Sequence, residues 1–445
     1  MRKTMFKTSF VTFLFMTSLI GITTPSVLAN ASDITTNLGH SELQYSDKSS
    51  AGIGFGILNS LSQSIVTAEG QVQTPSSSRS KSSPTKGGTG NPWQSEELTI
   101  LGIGLGIGDL EGDGQNEIVI VDPSNVYVYR LAENKLVKLA EYSAGTLEIK
   151  AVDVAKMGEQ GPSRIYVTAQ NRGTIASFVL EYRNGKLIPV ITDFPYYLRV
   201  INYPTRGSFL LGQQKGQRRA FEGPVYRLTD KGSELVVQER FGIPLKIPIF
   251  GFAIADLEGK HKPLIVSYDK SDHLRVYTPD GKRLFVSTEY YGGSDVILRM
   301  HGPEERTRVS AFDNPEANAE DYYRPRVLPT DFRDGSGQQI LVTTHSSKTL
   351  RMLSRTKMLE EGQVLALAWN GDVLEEKWRT PKIAGMIIDF AVDKWPGMRR
   401  SLIVLERKKT DWLAFLRSRT QLRVYDLDSL SAGTVETIGR SRSED

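Results

Sequence analysis

Short runs of alternating apolar and polar residues recur along this chain, and each run is too short for a helix. Six of the runs carry an aromatic residue, and three of them lead into an Asn-Gly or Asp-Gly pair, which favours a two-residue hairpin turn. Successive runs lie 44 to 56 residues apart, except for one gap of 92. The pattern predicts strands arranged in a repeat. The six aromatic residues are Tyr127, Tyr182, Tyr226, Tyr277, Trp369 and Tyr425.

A short acidic loop followed by an apolar strand precedes each aromatic run. The fullest copy is residues 106–121, where four carboxylates alternate with glycines before a run of Ile and Val. A period of 40 to 50 residues with several strands per repeat is typical of a β-propeller blade, whereas a β-sandwich does not require this order to recur. The reduced copies of the loop contain Asp153, Asn202, Asp256, Asp331 and Asp393.

This strand–acidic loop–strand unit resembles the FG-GAP/VCBS repeat, which is the blade of integrin-type β-propellers. The resemblance covers roughly residues 92–430 and implies an all-β propeller. We predict six blades. Seven blades is the alternative if residues 294–360 contain a divergent blade.

The two ends of the repeat array predict how the ring closes. Trp93, at the start of the array, has a sequence context similar to that of Trp378, which lies in the outer strand of the fifth blade. The sixth blade lacks a fourth strand of its own. We therefore predict that residues 92–99 pair with residues 422–427 and remove the open edge between the first and last blades.

Oxygen ligands at alternating positions with glycines between them are what a hard cation such as calcium requires from a tight turn. The resemblance implies one calcium loop, because the later copies carry Lys260, Arg333 or Trp395 where an oxygen ligand is expected. The alternative is a solvated turn in which the first Asp caps the backbone. The predicted ligands are Asp109, Glu111, Asp113, the carbonyl group of Gln115, and Glu117.

The N-terminus predicts export. Basic residues precede an apolar stretch at residues 10–22, and small residues then predict signal-peptide cleavage after Ala29. Residues 30–91 read as an apolar remnant followed by a Ser/Pro/Gly-rich linker, and residues 431–445 as a polar tail. We predict a periplasmic or secreted protein without a transmembrane span.

Most chemistry-bearing motifs are missing from the sequence. There is no cysteine, and the five histidines show no metal-ligand spacing. No nucleophile elbow, phosphate loop or dinucleotide fingerprint occurs, and a net charge of +4 does not by itself indicate nucleic-acid binding. We therefore predict a non-enzymatic binding or assembly module at the cell envelope. The alternative is a polysaccharide hydrolase or lyase whose active site is built from loops.

Positive charge concentrates in loops that join the second and third strands of three blades, so the propeller topology places it on one face. Basic loops with an aromatic centre suit an envelope protein or an anionic glycan or lipid surface. We predict that this face binds the partner and that the protein is a monomer. The residues of the predicted partner face are Lys215, Arg218, Arg219, Lys348, Arg351, Arg355, Arg407, Lys408, Lys409, Trp412, Arg417 and Arg419.

Overall fold

The computed structural model describes residues 92–158, 161–216, 219–221, 223–244, 246–299, 321–331, 337–346, 361–408 and 419–431. All of them belong to one compact unit, Pro84–Asp445. The predicted signal peptide, the segment 30–91 and residues 432–445 of the predicted tail lie outside the described residues.

The described residues form 27 strands and one helical turn at 427–431. In the first half of the chain the strands are β1 (Trp93–Gln94), β2 (Gly104–Gly108), β3 (Glu117–Val121), β4 (Asn125–Ala132), β5 (Lys135–Ser143), β6 (Glu148–Ala155), β7 (Arg164–Asn171), β8 (Thr174–Ile175), β9 (Ser177–Arg183), β10 (Lys186–Phe194), β11 (Tyr197–Tyr203), β12 (Gly207–Gln213), β13 (Val225–Asp230) and β14 (Leu235–Arg240). In the second half they are β15 (Phe252–Ala255), β16 (Leu264–Tyr268), β17 (His273–Tyr277), β18 (Arg283–Tyr290), β19 (Ile297–Leu298), β20 (Asp321–Tyr322), β21 (Leu328–Asp331), β22 (Gln338–Ser346), β23 (Glu361–Trp369), β24 (Leu374–Arg379), β25 (Ile383–Trp395), β26 (Met398–Lys408) and β27 (Thr420–Asp426).

Six four-stranded antiparallel units follow one another along the chain. Blades 1 to 4 are β2-β3-β4-β5, β6-β7-β9-β10, β11-β12-β13-β14 and β15-β16-β17-β18. Blade 5 is β21-β22-β23-β24, and blade 6 is β25-β26-β27 with β1 at its outer edge. The short strands β19 and β20 pair with each other in the connection between blades 4 and 5.

The first strands of the blades stand side by side around a central channel. β2 neighbours β6 and β25, β11 neighbours β6 and β15, and β15 neighbours β21. Arg326, just before β21, reaches Asp389 on β25 and completes the circuit. This arrangement confirms the predicted all-β propeller. The number of blades in the whole chain stays a prediction, because residues 300–320 and 347–360 lie outside the described residues.

Burial on both faces explains why the sequences of the inner strands are continuous apolar runs and do not alternate between apolar and polar residues. All five residues of β3 are buried, because neighbouring blades cover both of its faces. The outer strand β5 is mostly exposed or half-buried. The Asn184–Gly185 pair has positive φ at both residues, which is the hairpin turn that its sequence predicts.

The antiparallel meander gives the propeller two different faces. Loops joining first to second strands lie on what we call the front face. Loops joining second to third strands, together with the connections between blades, lie on the back face. The predicted partner face is therefore the back face.

The ring is closed by the N-terminal segment, as predicted. β1 pairs antiparallel with β27, with Trp93 opposite Val424, and the ladder continues to the backbone hydrogen bonds between Leu98 and Thr420. Ser95 Oγ also accepts a hydrogen bond from the Leu422 N–H at 3.0 Å. The Trp93 ring lies 4.9 Å from that of Trp395, so the clasp is held by ring packing as well as by the ladder.

We expect deletion of residues 1–97 to destabilise the propeller by about 3 kcal/mol or more, because the deletion removes the β1 ladder and the Trp93 contact. Thermal unfolding followed by circular dichroism measures the effect. Deletion of residues 1–83 is the control, since it leaves the compact unit Pro84–Asp445 intact. Equal melting temperatures for the two truncated proteins would show that the clasp contributes nothing.

Candidate functional site

A cavity of about 370 Å³ opens at the front end of the central channel. Its walls come from the ends of the first strands, including Gly106, Val154, Ile201 and Val392, and from Phe252 of blade 4. Its floor is polar and its rim carries groups that can form hydrogen bonds. The polar residues of the cavity are Asn116, Asp153, Lys156, Arg199, Asn202, Ser208, Arg326 and Asp393.

The floor of the cavity is organised by Arg326, whose side chain is 13% exposed. Its Nε and Nη2 atoms each donate to Asp389 at 3.0 Å, one to each carboxylate oxygen. Nη1 donates to Asp153 at 2.9 Å, and Nη2 also donates to the Leu105 carbonyl at 3.2 Å. The two carboxylates raise the pKa of Arg326 despite its burial, so the guanidinium stays charged.

The carboxylate of Asp153 is shared among three donors. Besides Arg326, it accepts hydrogen bonds from Arg199 Nη1 at 3.1 Å and from the Val200 N–H at 2.8 Å. Its side chain is 5% exposed. We call Arg326, Arg199, Asp153 and Asp389 the channel network. It contains two positive and two negative charges, so it is neutral overall.

The carboxylate of Asp389 also accepts hydrogen bonds from several donors. It accepts a hydrogen bond from the Leu105 N–H at 3.2 Å and one from its neighbour Phe390 at 2.9 Å, in addition to those from Arg326. Through these contacts the channel network joins residues of blades 1, 2, 3 and 6 to the strand that opens blade 5. A buried carboxylate whose oxygens accept this many hydrogen bonds from the chain has a structural role.

The back end of the channel is closed by aromatic packing. The Tyr323 ring lies 5.0 Å from that of Phe250, and Phe250 also packs against Tyr197. Burial raises the pKa of Tyr323 to about 12. The front cavity therefore ends at the channel network and this aromatic layer.

The predicted calcium ligands are partly assembled. Glu111, Asp113 and Glu117 each place a carboxylate oxygen within 4.8 Å of the others. Arg130 enters the same cluster: Nη2 donates to Glu111 at 2.6 Å, and Nε donates to Glu117, whose side chain is fully buried, at 3.0 Å. These hydrogen bonds raise the pKa of Arg130, so the loop already contains a cation from the chain itself.

Asp109 has a different role from the other predicted ligands. Its carboxylate accepts hydrogen bonds from the backbone N–H groups of Gly112, Asp113 and Gly114 at 2.6 to 3.2 Å. It is the capping residue of the turn, which is the alternative that the sequence left open. The Gln115 N–H donates to Asp113 at 2.9 Å. Whether the loop binds calcium stays a prediction.

The position of Asp153 in the structure differs from the one that the repeat pattern predicts. The sequence pattern places it in a blade loop equivalent to residues 106–117, but it lies within β6 and its carboxylate faces the channel. Asp256 does follow the pattern, because it caps its loop by accepting the N–H groups of Lys260 and His261.

The described residues of the predicted partner face are mostly engaged with the rest of the chain. Arg407 forms a two-bond ion pair with Asp295 at 2.6 and 3.0 Å. Lys408 and Arg419 both pair with Glu97 of the clasp. Lys215 donates to the Gly173 carbonyl at 3.0 Å, and Arg219 lines a back-face cleft. The others, Arg218, Lys348, Arg351, Arg355, Lys409, Trp412 and Arg417, lie outside the described residues.

Sequence reasoning missed Arg326 and Arg130. Arg326 lies in the segment Tyr323-Arg324-Pro325-Arg326-Val327, where apolar residues alternate with two arginines. Alternation in an extended segment would place both arginines on the same side, so the sequence carries no signal that Arg326 alone enters the channel. Arg130 follows an aromatic strand and has no distinguishing neighbour in the sequence.

No family model matches the chain, and no curated protein matches its sequence. Membership of the FG-GAP/VCBS family therefore stays a prediction.

Three solved structures illustrate the similarities found. The C-terminal WD40 domain of Sif2 aligns at 12% identity over 75% of this chain and 99% of its own, with a TM-score of 0.37. Sqt1 of Saccharomyces cerevisiae aligns at 9% identity over 76% and 98%, with a TM-score of 0.34. BBS1N, crystallised with ARL6DN and soaked with lead, aligns at 12% identity over 72% and 77%, also at 0.34. These TM-scores are too low to carry an argument, so the fold assignment rests on the strand pairing.

Among the described residues, no helix is long and apolar enough to cross a membrane.

We expect Arg326→Met to destabilise the propeller by about 3 to 5 kcal/mol, because it leaves Asp153 and Asp389 as buried charges without their shared partner. Chemical denaturation measures the change. Arg283→Met, in an exposed position on β18, is the matched control and should change stability little. A similar stability for both variants would show that the channel network is dispensable.

Proposed function

We propose that this protein is an exported, non-enzymatic β-propeller that acts as a binding or assembly module at the cell envelope. The observation that carries the proposal is the channel network. Both of its carboxylates accept several structural hydrogen bonds, so this buried polar site is used to hold the ring together. The surfaces of the blades are then left for recognition.

The alternative, a loop-built polysaccharide hydrolase or lyase, requires two carboxylates that can exchange protons or attack the sugar. Asp153 and Asp389 do not fit this requirement, because arginine side chains and backbone N–H groups bind their oxygens. Asp393, at the rim, accepts a hydrogen bond from Asn116 Nδ2 at 2.6 Å and links blades 1 and 6. The geometry of the cavity therefore favours binding over catalysis.

Export is supported by the basic N-terminus, the apolar stretch at residues 10–22 and the small residues before Ala29. The back face is the proposed partner surface, because the described strands on either side of the basic second-to-third-strand segments end at it. The proposed partner is an envelope protein or an anionic glycan or lipid surface, bound by the propeller as a monomer.

We also propose that the loop at residues 109–117 can bind one calcium ion in competition with Arg130. Calcium at about 1 mM should raise the melting temperature of Arg130→Gln by more than that of the wild type, since the variant frees Glu111 and Glu117 for the ion. Thermal melts with calcium and with chelator measure the difference. If calcium and chelator give the same curve for each of the two proteins, the loop binds no calcium and is a turn held by Arg130.

Five basic residues of the predicted partner face test the binding role, namely Lys348, Arg351, Arg355, Lys409 and Arg417. Their joint replacement by Ser should weaken binding to phosphatidylglycerol vesicles at low salt about tenfold or more, since each basic residue near an anionic surface contributes roughly 1 kcal/mol. The set leaves out Arg407, Lys408 and Arg419, because their ion pairs reach Asp295 and the clasp.

The matched control removes the same number of charges from the front face. Five of its exposed lysines are changed to Ser together, namely Lys186, Lys231, Lys262, Lys282 and Lys394. Vesicle co-sedimentation across a salt series compares the two variants. The binding proposal for the back face fails if the wild type does not bind at low salt or if both variants bind equally weakly.

A further inference from the structure

Two arginines separated by one residue have opposite electrostatic surroundings. Arg326 is paired with two carboxylates in the channel network. Arg324 extends to the other side of the same segment, and the hydrogen bond it makes among the described residues joins its Nε to the Asp269 backbone carbonyl at 3.3 Å. Burial lowers the pKa of Arg324, whereas the pKa of Arg326 is raised. Burial thus disfavours the charged form of Arg324 by more than the attraction of Asp272, Asp321 and Asp269 favours it.

Arg324 faces a cleft of about 260 Å³ between blades 3 and 4. We call it the blade 3–4 cleft. One wall is the connection between the two blades, with Ile247 and Pro248, and the opposite wall is the end of β16 and the loop after it. Phe221 and Tyr277 contribute aromatic surface. The cleft is separate from the front cavity, with which it shares no lining residue.

The charges that line the cleft do not balance. Among the residues that the structure describes, five cationic side chains and two carboxylates line it: Arg219, Lys246, Lys270, Arg275 and Arg324 against Asp269 and Asp321.

Asp269 is neutralised within the cleft. It accepts two hydrogen bonds from Arg275, at 2.9 and 2.6 Å, and two more from the N–H groups of Ser271 and His273. Asp321 accepts the Ala220 N–H at 2.8 Å. The other four cations face Asp321, and Asp272 also attracts Arg324, so among the described residues positive charge still exceeds negative charge in this recess, and such a surplus attracts anions.

We propose that the blade 3–4 cleft binds a phosphate group, either as the free anion or as a monoester. The Arg324 guanidinium is the central contact, and Lys246, Lys270 and Arg219 surround it at the opening. The Ser271 hydroxyl is a further donor on the same wall.

The shape of the cleft and its donors favour phosphate over other anions. Arginine and lysine donors from several segments of the lining suit a tetrahedral group, and a dianion offsets the surplus positive charge better than one carboxylate. The proposal does not depend on vesicle binding by the back face, because neither Arg324 nor Lys270 belongs to the set of residues tested there.

Calorimetric titration of the purified protein with inorganic phosphate, at constant ionic strength set with chloride, tests the site. We expect saturable binding by the wild type and at least tenfold weaker binding by Arg324→Gln. Arg283→Gln, which removes one exposed arginine from β18, is the matched control and should bind like the wild type. An absence of saturable binding by the wild type, or an unchanged affinity of Arg324→Gln, overturns the proposal.

Stability provides an independent readout. Without phosphate, Arg324→Gln should melt no lower than the wild type, because burial disfavours the charge that the substitution removes by more than the nearby aspartates favour it. Phosphate should raise the melting temperature of the wild type and not that of the variant. Should Arg324→Gln fail to fold, the exposed Lys270→Gln replaces it in the titration, where weaker binding is again expected.

Titration with glycerol 3-phosphate shows whether the bound phosphate group belongs to a free anion or to a monoester, and titration with acetate tests whether the cleft prefers phosphate to a carboxylate. Glycerol 3-phosphate binding with the affinity of inorganic phosphate supports a monoester ligand, and much weaker binding supports the free anion. Acetate is the third titrant. If acetate binds as tightly as phosphate, the cleft selects carboxylates and the assignment to phosphate is wrong.

Discussion

A single guanidinium group, that of Arg326, lies where the first strands of the blades converge. The first strands β2 and β11 bring backbone groups toward the axis, β6 and β25 bring Asp153 and Asp389, and both carboxylates are buried. Asp153 and Asp389 satisfy Arg326, and the backbone N–H groups of Leu105 and Val200 complete the shells of the two carboxylates. Burying four charges is costly, and their mutual pairing offsets that cost only when all of them are in place. The ring geometry and the channel network therefore depend on each other.

The same requirement limits what the front cavity can do. A site for acid–base chemistry requires carboxylates whose protonation can change during turnover. Here the acids nearest the axis are committed to arginines, so the interior supports the shape of the propeller while the loops and the blade 3–4 cleft remain accessible. Binding at the periphery and rigidity at the centre are compatible in one molecule because separate residues provide them.

The sequence predicted the parts of the fold that local chemistry determines. The apolar runs, the turn at Asn184–Gly185 and the outer-strand context of Trp93 depend on neighbours in the chain or on similarity between blades. Long-range ion pairs have no such signature. The sequence predicted Asp153 to be a loop residue, because the residues around it resemble those around Asp109. Nothing in the sequence around Arg130 indicated its contact with Glu117. Similarly, the basic residues at 407, 408 and 419 read as free surface charge, although Asp295 and Glu97 pair with them.

The antiparallel direction of the clasp sets the mechanical behaviour of the ring. Trp93, at the start of β1, faces Val424 near the end of β27, and the pairing proceeds from there to Leu98 and Thr420. The chain therefore enters and leaves blade 6 at the same end of this ladder. A pulling force applied between the two ends would load the hydrogen bonds one after another, as in unzipping, and would not load them together in shear. A propeller tethered through both ends would open at this seam, whereas one tethered through its N-terminal side alone would carry no load across it.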